Sequence, residues 1–123
     1  MTPVPTRTET PLRTTLTTLT AVALIATGNA GATTVSQAKR EVHRLWGTNA
    51  QRMLCIIHHE SRWNPHAISR TNDHGLVQLN AHTWQRFFGT RWHRVYDPVA
   101  NVRMGYVVWQ RSGFGAWTTA RWC

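Results

Sequence analysis

The chain has 123 residues, a formal net charge of +9 and only two cysteines. This length allows one domain, and with only two cysteines a structural zinc site is disfavoured. The positive charge is compatible with nucleic acid, a membrane surface or an anionic envelope polymer. The basic residues are scattered and carry no helix-turn-helix or zinc-finger spacing, which disfavours a nucleic-acid partner.

Residues 1–32 have the pattern of a secretory signal peptide. Two arginines precede a short apolar stretch at residues 16–26, and Ala30-Gly31-Ala32 has the small-x-small form of a cleavage site. A disordered tail or a membrane anchor is the alternative, but the apolar stretch is shorter than the roughly 20 residues that span a bilayer. We therefore predict an exported mature domain over residues 33–123, with no stable membrane span after cleavage.

The predicted mature chain begins with residues that favour two successive helices. Thr34 and Gln37 have the T-x-x-Q form of a capping box, which predicts a helix that Gly47 ends. Either Thr48 or Asn49 can cap a second helix, whose apolar positions repeat at helical spacing. Two helices in succession therefore begin the predicted domain.

The remaining signals predict a loop or short strands over residues 61–75, followed by two more helices. Asn80 can cap the third helix, and Gly89 stops it. Asp97-Pro98 supplies a cap followed by proline at the first helical position, and the chain becomes irregular from Ser112. The predicted fold is α+β and mainly helical, with a small irregular β or loop insertion after the second helix.

Cys55 and Cys123 are expected to form a disulfide, because an exported chain meets oxidising conditions. So small a domain buries a marginal core, and closing so long a loop contributes about 4 kcal/mol in the chain-entropy model. One buried thiol and one free thiol are the alternative.

Four carboxylates remain after the predicted signal peptide: Glu41, Glu60, Asp73 and Asp97. Asp97 is assigned to a helix cap, and Glu41 is expected to form an ordinary solvated ion pair on the first helix. Glu60 and Asp73 are therefore the candidates for catalysis. Several histidines surround Glu60, but no H-E-x-x-H pattern is present, so we predict neither a metal nor a cofactor.

Glu60 directly follows an apolar run, MLCII, at residues 53–57. It lies three residues after Ile57 and seven after Met53, so the three share one helix face. Desolvation and the negative end of the helix both raise the pKa of a carboxyl group placed there. A carboxylic acid that stays protonated suits general acid catalysis. The structural alternative is that Glu60 pairs with Arg62 or caps the following loop.

Several motifs, in the same order, resemble the catalytic core of the lysozyme-like superfamily, and the lytic transglycosylases in particular. They extend over most of the mature chain, from about Leu54 to Trp117. The matching elements are Glu60-Ser61, Asn64-Pro65-His66-Ala67, GLVQLN at residues 75–80 and DPVANV at residues 97–102. This resemblance implies a lysozyme-like fold and peptidoglycan strands as the substrate.

The resemblance also implies roles for particular residues. Glu60 would be the acid/base that cleaves the bond between N-acetylmuramic acid and N-acetylglucosamine, giving 1,6-anhydro-muramoyl ends. Ser61 would help to position Glu60 or the sugar. Gln78 and Asn80 would donate hydrogen bonds to the sugar or hold the loop. The protein is then expected to be a monomer at the cell wall, where anionic wall polymers are possible further partners.

Two departures leave alternatives open. The family's Ala-Tyr-Asn-x-Gly segment, whose tyrosine lies near the catalytic acid in that family, is not present. Tyr106 and Trp117 are the candidates to take its place in the wall of the cleft. Asp73 precedes the Gly-x-x-Gln stretch as the second carboxylate of animal-type lysozymes does, so Glu60 and Asp73 together could catalyse hydrolysis; alternatively Asp73 caps a turn. A non-catalytic wall-binding or assembly protein with this fold is the alternative from another functional class.

Overall fold

The computed structural model describes residues 2–4 and 31–123, so the predicted signal peptide lies largely outside the described residues. These residues form four α-helices and a two-stranded antiparallel sheet, which lies between the second and third helices in the chain. In chain order the elements are α1 (Val35–Trp46), α2 (Ala50–Ser61), β1 (Asp73–His74), β2 (Leu79–Asn80), α3 (Ala81–Phe88) and α4 (Pro98–Ser112). The predicted α+β, mainly helical fold with a small insertion after α2 is confirmed.

Local capping chemistry sets most helix ends. The Thr34 side chain caps α1 in a complete capping box, and Asn80 and Asp97 accept backbone N–H groups at the starts of α3 and α4. Asn49 precedes α2, but its side chain makes no capping bond, because a 3₁₀ turn over Gly47–Asn49 leads directly into the helix. Of the two predicted caps, Thr48 and Asn49, it is Asn49 that occupies the cap position, but the predicted side-chain capping bond is absent. Glycines with positive φ follow the other three helices: Gly47, Gly89 and Gly113.

The core forms around α2, whose inner face is fully buried. Met53, Ile56 and Ile57 are each 0% exposed. They pack in one cluster with apolar residues from α1, α4 and the segment between the strands: Ala38, Val42, Leu76, Val77, Val102 and Val108. The apolar run before Glu60 therefore forms part of the core, as its helical spacing predicted.

The C-terminal segment, residues 113–123, folds back onto α2. Its 3₁₀ turns cover Gly113–Ala116 and Thr118–Trp122, and Cys123 forms a disulfide with Cys55 of α2. The predicted pairing is therefore present, and it closes a loop with a sequence separation of 68. Within the described part of the chain, no helix combines the length and apolar character needed to cross a bilayer.

Glu41 is not the solvated ion pair that the sequence predicted. It is only 8% exposed and accepts hydrogen bonds from Arg44 Nε at 2.9 Å and from Arg103 Nε at 2.8 Å. Arg103 lies on α4, so the ion pair joins α1 to α4. The hydrogen bond from Arg44, supported by Arg103 and opposed by burial, lowers the pKa of Glu41 to about 2.

Replacing Glu41 should destabilise the domain in a pH-dependent way. Because the folded-state pKa is depressed, the stabilisation is complete above the unfolded pKa of about 4.3 and is lost as pH falls toward about 2. The arginine side chains are 63% and 61% exposed, so we expect Glu41→Gln to cost only about 1–2 kcal/mol at pH 7. Urea unfolding at pH 7 and pH 3 measures this cost, with Arg40→Gln as the control. An equal cost at both pH values contradicts the prediction.

Candidate active site

Glu60 lies in the last turn of α2, where the chain leaves the helix. Arg62 and Trp63, immediately after α2, both have positive φ (51° and 62°), which turns the chain sharply away from the helix axis. Glu60 is half-buried above the apolar inner face of α2. Burial raises its pKa, and the negative charge of Asp73 acts in the same direction, while Thr119 and His59 oppose them. The pKa of Glu60 is therefore shifted upward, as its position after the apolar MLCII run predicts.

Thr119, the residue that hydrogen-bonds Glu60, belongs to no sequence motif. The Thr119 hydroxyl donates a hydrogen bond of 2.7 Å to Glu60 Oε1, across 59 residues of sequence. The predicted disulfide was the one available signal, because pairing Cys55 with Cys123 brings the C-terminal segment to the helix that carries Glu60.

Ser61 follows Glu60 but faces the protein interior. It is 9% exposed, and its Oγ donates to the Ile57 carbonyl at 3.2 Å. Serine hydroxyls in helices can bond the carbonyl four residues earlier in this way. Ser61 therefore bonds the end of α2, and its contact with Glu60 or with sugar remains a prediction.

Asp73 is held in a network of hydroxyl and amide donors. Ser69 Oγ donates to its Oδ2 at 2.6 Å, Thr71 donates to the same oxygen, and Asn80 Nδ2 donates to Oδ1 at 3.0 Å. Burial opposes ionisation of Asp73, but these three donors outweigh it and lower its pKa. Asp73 is therefore an ionised carboxylate that joins the turn before β1 to the start of α3.

Gln78 and Asn80 bond the backbone of the insertion. Gln78 has φ 52°, and its Nε2 donates to the carbonyls of Ala67 (3.1 Å) and Gly75 (2.9 Å). Besides Asp73, Asn80 Nδ2 bonds the Thr71 carbonyl at 2.9 Å. Both side chains therefore hold the loop, which is one of the two roles that the sequence suggested.

Asn101 of α4 anchors the same segment from inside the core. Its side chain is 0% exposed; Oδ1 accepts from Val77 N at 2.8 Å, and Nδ2 donates to the carbonyls of Val95 (2.8 Å) and His74 (3.2 Å). Gly75 is required here, because a Cβ at this position would lie 2.2 Å from Asn101 Nδ2. The DPVANV motif therefore fixes the GLVQLN stretch, a role that its sequence did not reveal.

Tyr106 is partly buried and Trp117 is buried, and both rings pack against other residues of the domain. Tyr106 packs against Trp46 and stacks on Trp109, between α1 and α4. Trp117 is 5% exposed, and its indole N–H donates to the Val77 carbonyl at 2.8 Å. In this conformation Trp117 supports the segment before β2, and sugar contacts by either ring remain predictions.

One group of possible metal ligands occurs in the described residues. The sulfur atoms of Cys55 and Cys123 and a ring nitrogen of His59 lie within 4.8 Å of one another. Both sulfurs are joined in the disulfide, so neither is a thiolate that could bind a metal.

Comparison with known families places this geometry in context. The family model for the transglycosylase SLT domain matches residues 43–115, which is more than half of the chain. The chain belongs to the transglycosylase SLT domain family. The match begins in α1 and includes Glu60, the strand insertion and α4. Comparisons with curated proteins and with solved structures each found no match.

Membership of the SLT domain family gives the site a coarse function. It indicates a peptidoglycan-acting protein of the lytic transglycosylase type, with a fold of the lysozyme-like superfamily. The resemblance in the sequence motifs is thereby confirmed. The matched residues end before Thr119, so the residue in contact with Glu60 lies outside the part of the chain that the family describes.

Proposed function

We propose that the protein cleaves the β-1,4 bond between N-acetylmuramic acid and N-acetylglucosamine as a lytic transglycosylase, with Glu60 as the single acid/base. The observation that carries this proposal is the environment of Glu60: a half-buried carboxyl group with a raised pKa, at the end of α2 and within the SLT domain match. A carboxyl group with a raised pKa keeps its proton to higher pH than a free glutamate does, which suits a general acid.

The proposed reaction uses the two protonation states of Glu60 in turn. The carboxylic acid first donates its proton to the glycosidic oxygen, the C1–O bond breaks, and the muramoyl ring gains oxocarbenium character. The resulting carboxylate then removes the proton from the muramoyl 6-hydroxyl, whose oxygen bonds to C1. Glu60 ends protonated, as it began, and the product has a 1,6-anhydro ring without consumption of water.

The bonding of Asp73 supports a single acid/base. A retaining glycosidase uses a second carboxylate as nucleophile, about 5–5.5 Å from the first. Asp73 accepts three hydrogen bonds, from Ser69, Thr71 and Asn80, and these withdraw electron density from both of its oxygens. We therefore assign Asp73 to holding the insertion and to adding negative potential near Glu60.

The same negative potential supports a second candidate, hydrolysis by Glu60 with Asp73. The charge of Asp73 contributes to the raised pKa of Glu60, so the two carboxyl groups interact electrostatically. Mass analysis of the muropeptides distinguishes the reactions, because anhydro ends lack one water. Hydrated reducing ends alone would contradict the transglycosylase proposal and support the hydrolase.

Asp73→Asn separates the two roles of Asp73. If Asp73 only holds the loop and adds charge, kcat should fall less than about tenfold and the products should remain anhydro, whereas loss of a catalytic nucleophile should cost roughly 10³-fold or more. Kinetics on purified peptidoglycan measure the change. Thr71→Val is the matched control, because it removes one donor from the same network without changing its charge.

We further propose that the protein acts outside the cytoplasm, at the cell wall. The disulfide supports this location, since such bonds persist in oxidising compartments. The predicted mature chain, residues 33–123, carries 12 basic and 4 acidic side chains, and this formal charge of +8 suits electrostatic binding to peptidoglycan and to anionic wall polymers. Sedimentation with purified walls should then weaken as salt rises, and binding that does not respond to salt contradicts the electrostatic part of the proposal.

A further inference from the structure

Thr119 contacts the candidate catalytic acid from a part of the chain beyond the SLT domain match. Its Oγ1 lies 2.7 Å from Glu60 Oε1, and its hydroxyl is the donor when Glu60 is ionised, because a carboxylate has no proton to donate. Glu60 Oε2 receives no hydrogen bond from the described residues. One oxygen of the carboxyl group is therefore occupied by the protein, and the other is left for a proton or a substrate.

The C-terminal segment holds Thr119 by contacts on both sides. Before it, the buried Trp117 ring is fixed by its 2.8 Å bond to the Val77 carbonyl. After it, Ala120 is 7% exposed and its carbonyl accepts from Arg52 at 3.5 Å. Cys123 is bonded covalently to Cys55, five residues before Glu60 on the same helix. The segment that carries Thr119 is thus attached to α2, the helix that carries Glu60.

We propose that Thr119 is a positioning residue that fixes which oxygen of Glu60 carries the transferable proton. This inference rests on the proposed role of Glu60 as acid/base. A threonine hydroxyl has a single proton to donate. While that proton is directed at Oε1, the acidic proton of Glu60 is held on Oε2, where it can be given to the glycosidic oxygen. After the transfer, the same hydrogen bond stabilises the carboxylate that acts as base.

Four influences act on Glu60, and Thr119 is the one that the C-terminal segment supplies. Burial and the charge of Asp73 in β1 raise the pKa of Glu60, while the hydroxyl of Thr119 and the charge of His59 in α2 lower it. Removing the hydroxyl should therefore raise the pKa of Glu60 further. It should also leave the acidic proton free to occupy either oxygen.

Thr119→Val tests the inference, because valine keeps the shape and removes the donor. We expect kcat on peptidoglycan to fall about 10–100-fold with little change in KM, since a charge-assisted hydrogen bond is lost but substrate contacts remain. The basic limb of the pH–rate profile and the ¹³C NMR titration of the Glu60 carboxyl should both move to higher pH. Thr119→Ser should restore most of the rate and the titration. Thr118→Val, at the exposed neighbouring threonine, is the control and should match the wild type.

The readouts separate failure of this inference from failure of the proposed function. If Glu60→Gln is inactive but Thr119→Val matches Thr118→Val in kcat or in the Glu60 titration, the positioning role is wrong and the catalytic assignment stands. If Glu60→Gln remains fully active, the catalytic assignment fails, and the positioning role, which depends on it, fails with it. The Glu60 titration in Thr119→Val then reports only whether the hydrogen bond exists in solution.

Discussion

Glu60→Gln is expected to reduce glycan cleavage by roughly 10³-fold or more, with little loss of wall binding. General acid–base catalysis typically contributes about 10²–10⁴-fold, and Glu60 is proposed to serve as acid and then as base in the same turnover. Glutamine retains an oxygen that can accept the Thr119 hydroxyl, so the fold around the site should persist. Zymography and muropeptide mass analysis of the mature protein measure the loss. His58→Gln, at an exposed position on the same helix, is the control.

The same variant should be more stable than the wild type at neutral pH. The folded-state pKa of Glu60 is raised, chiefly by burial, so the ionised carboxylate destabilises the fold. This destabilisation appears as pH rises from the unfolded pKa through the folded pKa, and it is absent below both. Thermal unfolding should therefore show a gain for Glu60→Gln at pH 7 that disappears at pH 3. Catalytic groups often carry such a cost.

The alternatives predict different outcomes for this one substitution. If Glu60→Gln clears purified walls as fast as the wild type does, the chain is better described as a wall-binding or assembly protein that retains the fold. If clearance is lost and the gain in stability at pH 7 is present, the inactive variant is folded, and Glu60 acts in the chemistry.

Asn101→Leu should be among the most destabilising single substitutions in the domain. It leaves the N–H of Val77 and the carbonyls of Val95 and His74 without their partner. Each buried orphan costs about 1–3 kcal/mol, and the carbonyl of His74 is only partly buried. We therefore expect a total loss toward the lower end of the summed range, about 3–5 kcal/mol, which is a large share of the roughly 5–15 kcal/mol that stabilises a typical domain. Urea unfolding measures the loss, and Gln110→Leu on the exposed face of α4 is the matched control.

Hydrogen exchange identifies where the effect of Asn101→Leu begins. If Asn101 anchors the segment between β1 and β2, the amide of Val77 should lose protection well before the amides of α1 do. A loss in stability below about 1 kcal/mol, with Val77 still protected, contradicts the anchoring role.

The features that could be predicted from the sequence are mostly those with local causes. Thr34, Asn80 and Asp97 cap helices because their side chains reach backbone N–H groups only three residues further on. Glycines mark the helix ends because a positive φ is needed there. Glu60 was found by the same local reasoning, from its position on the buried face of α2.

The features that were missed depend on residues distant in sequence. The sequence predicts a solvated Glu41, because only the fold brings Arg103 of α4 beside it. Asn101 is one position of the DPVANV motif in sequence, and its three backbone partners come from segments that the fold brings together. Thr119 lies outside any motif, and only the disulfide indicated its neighbourhood. Helical periodicity cannot report such contacts, because it describes one element at a time.

The joining of α2 to the C-terminal segment has a consequence for the order in which the protein folds. The contact between Glu60 and Thr119 spans 59 residues and the disulfide spans 68, so both require long loops to close. Contacts of this kind form late, after the local helices. A ribosome must therefore release nearly the whole domain before the acid acquires its neighbour, and a chain interrupted before that point would carry Glu60 without a finished site.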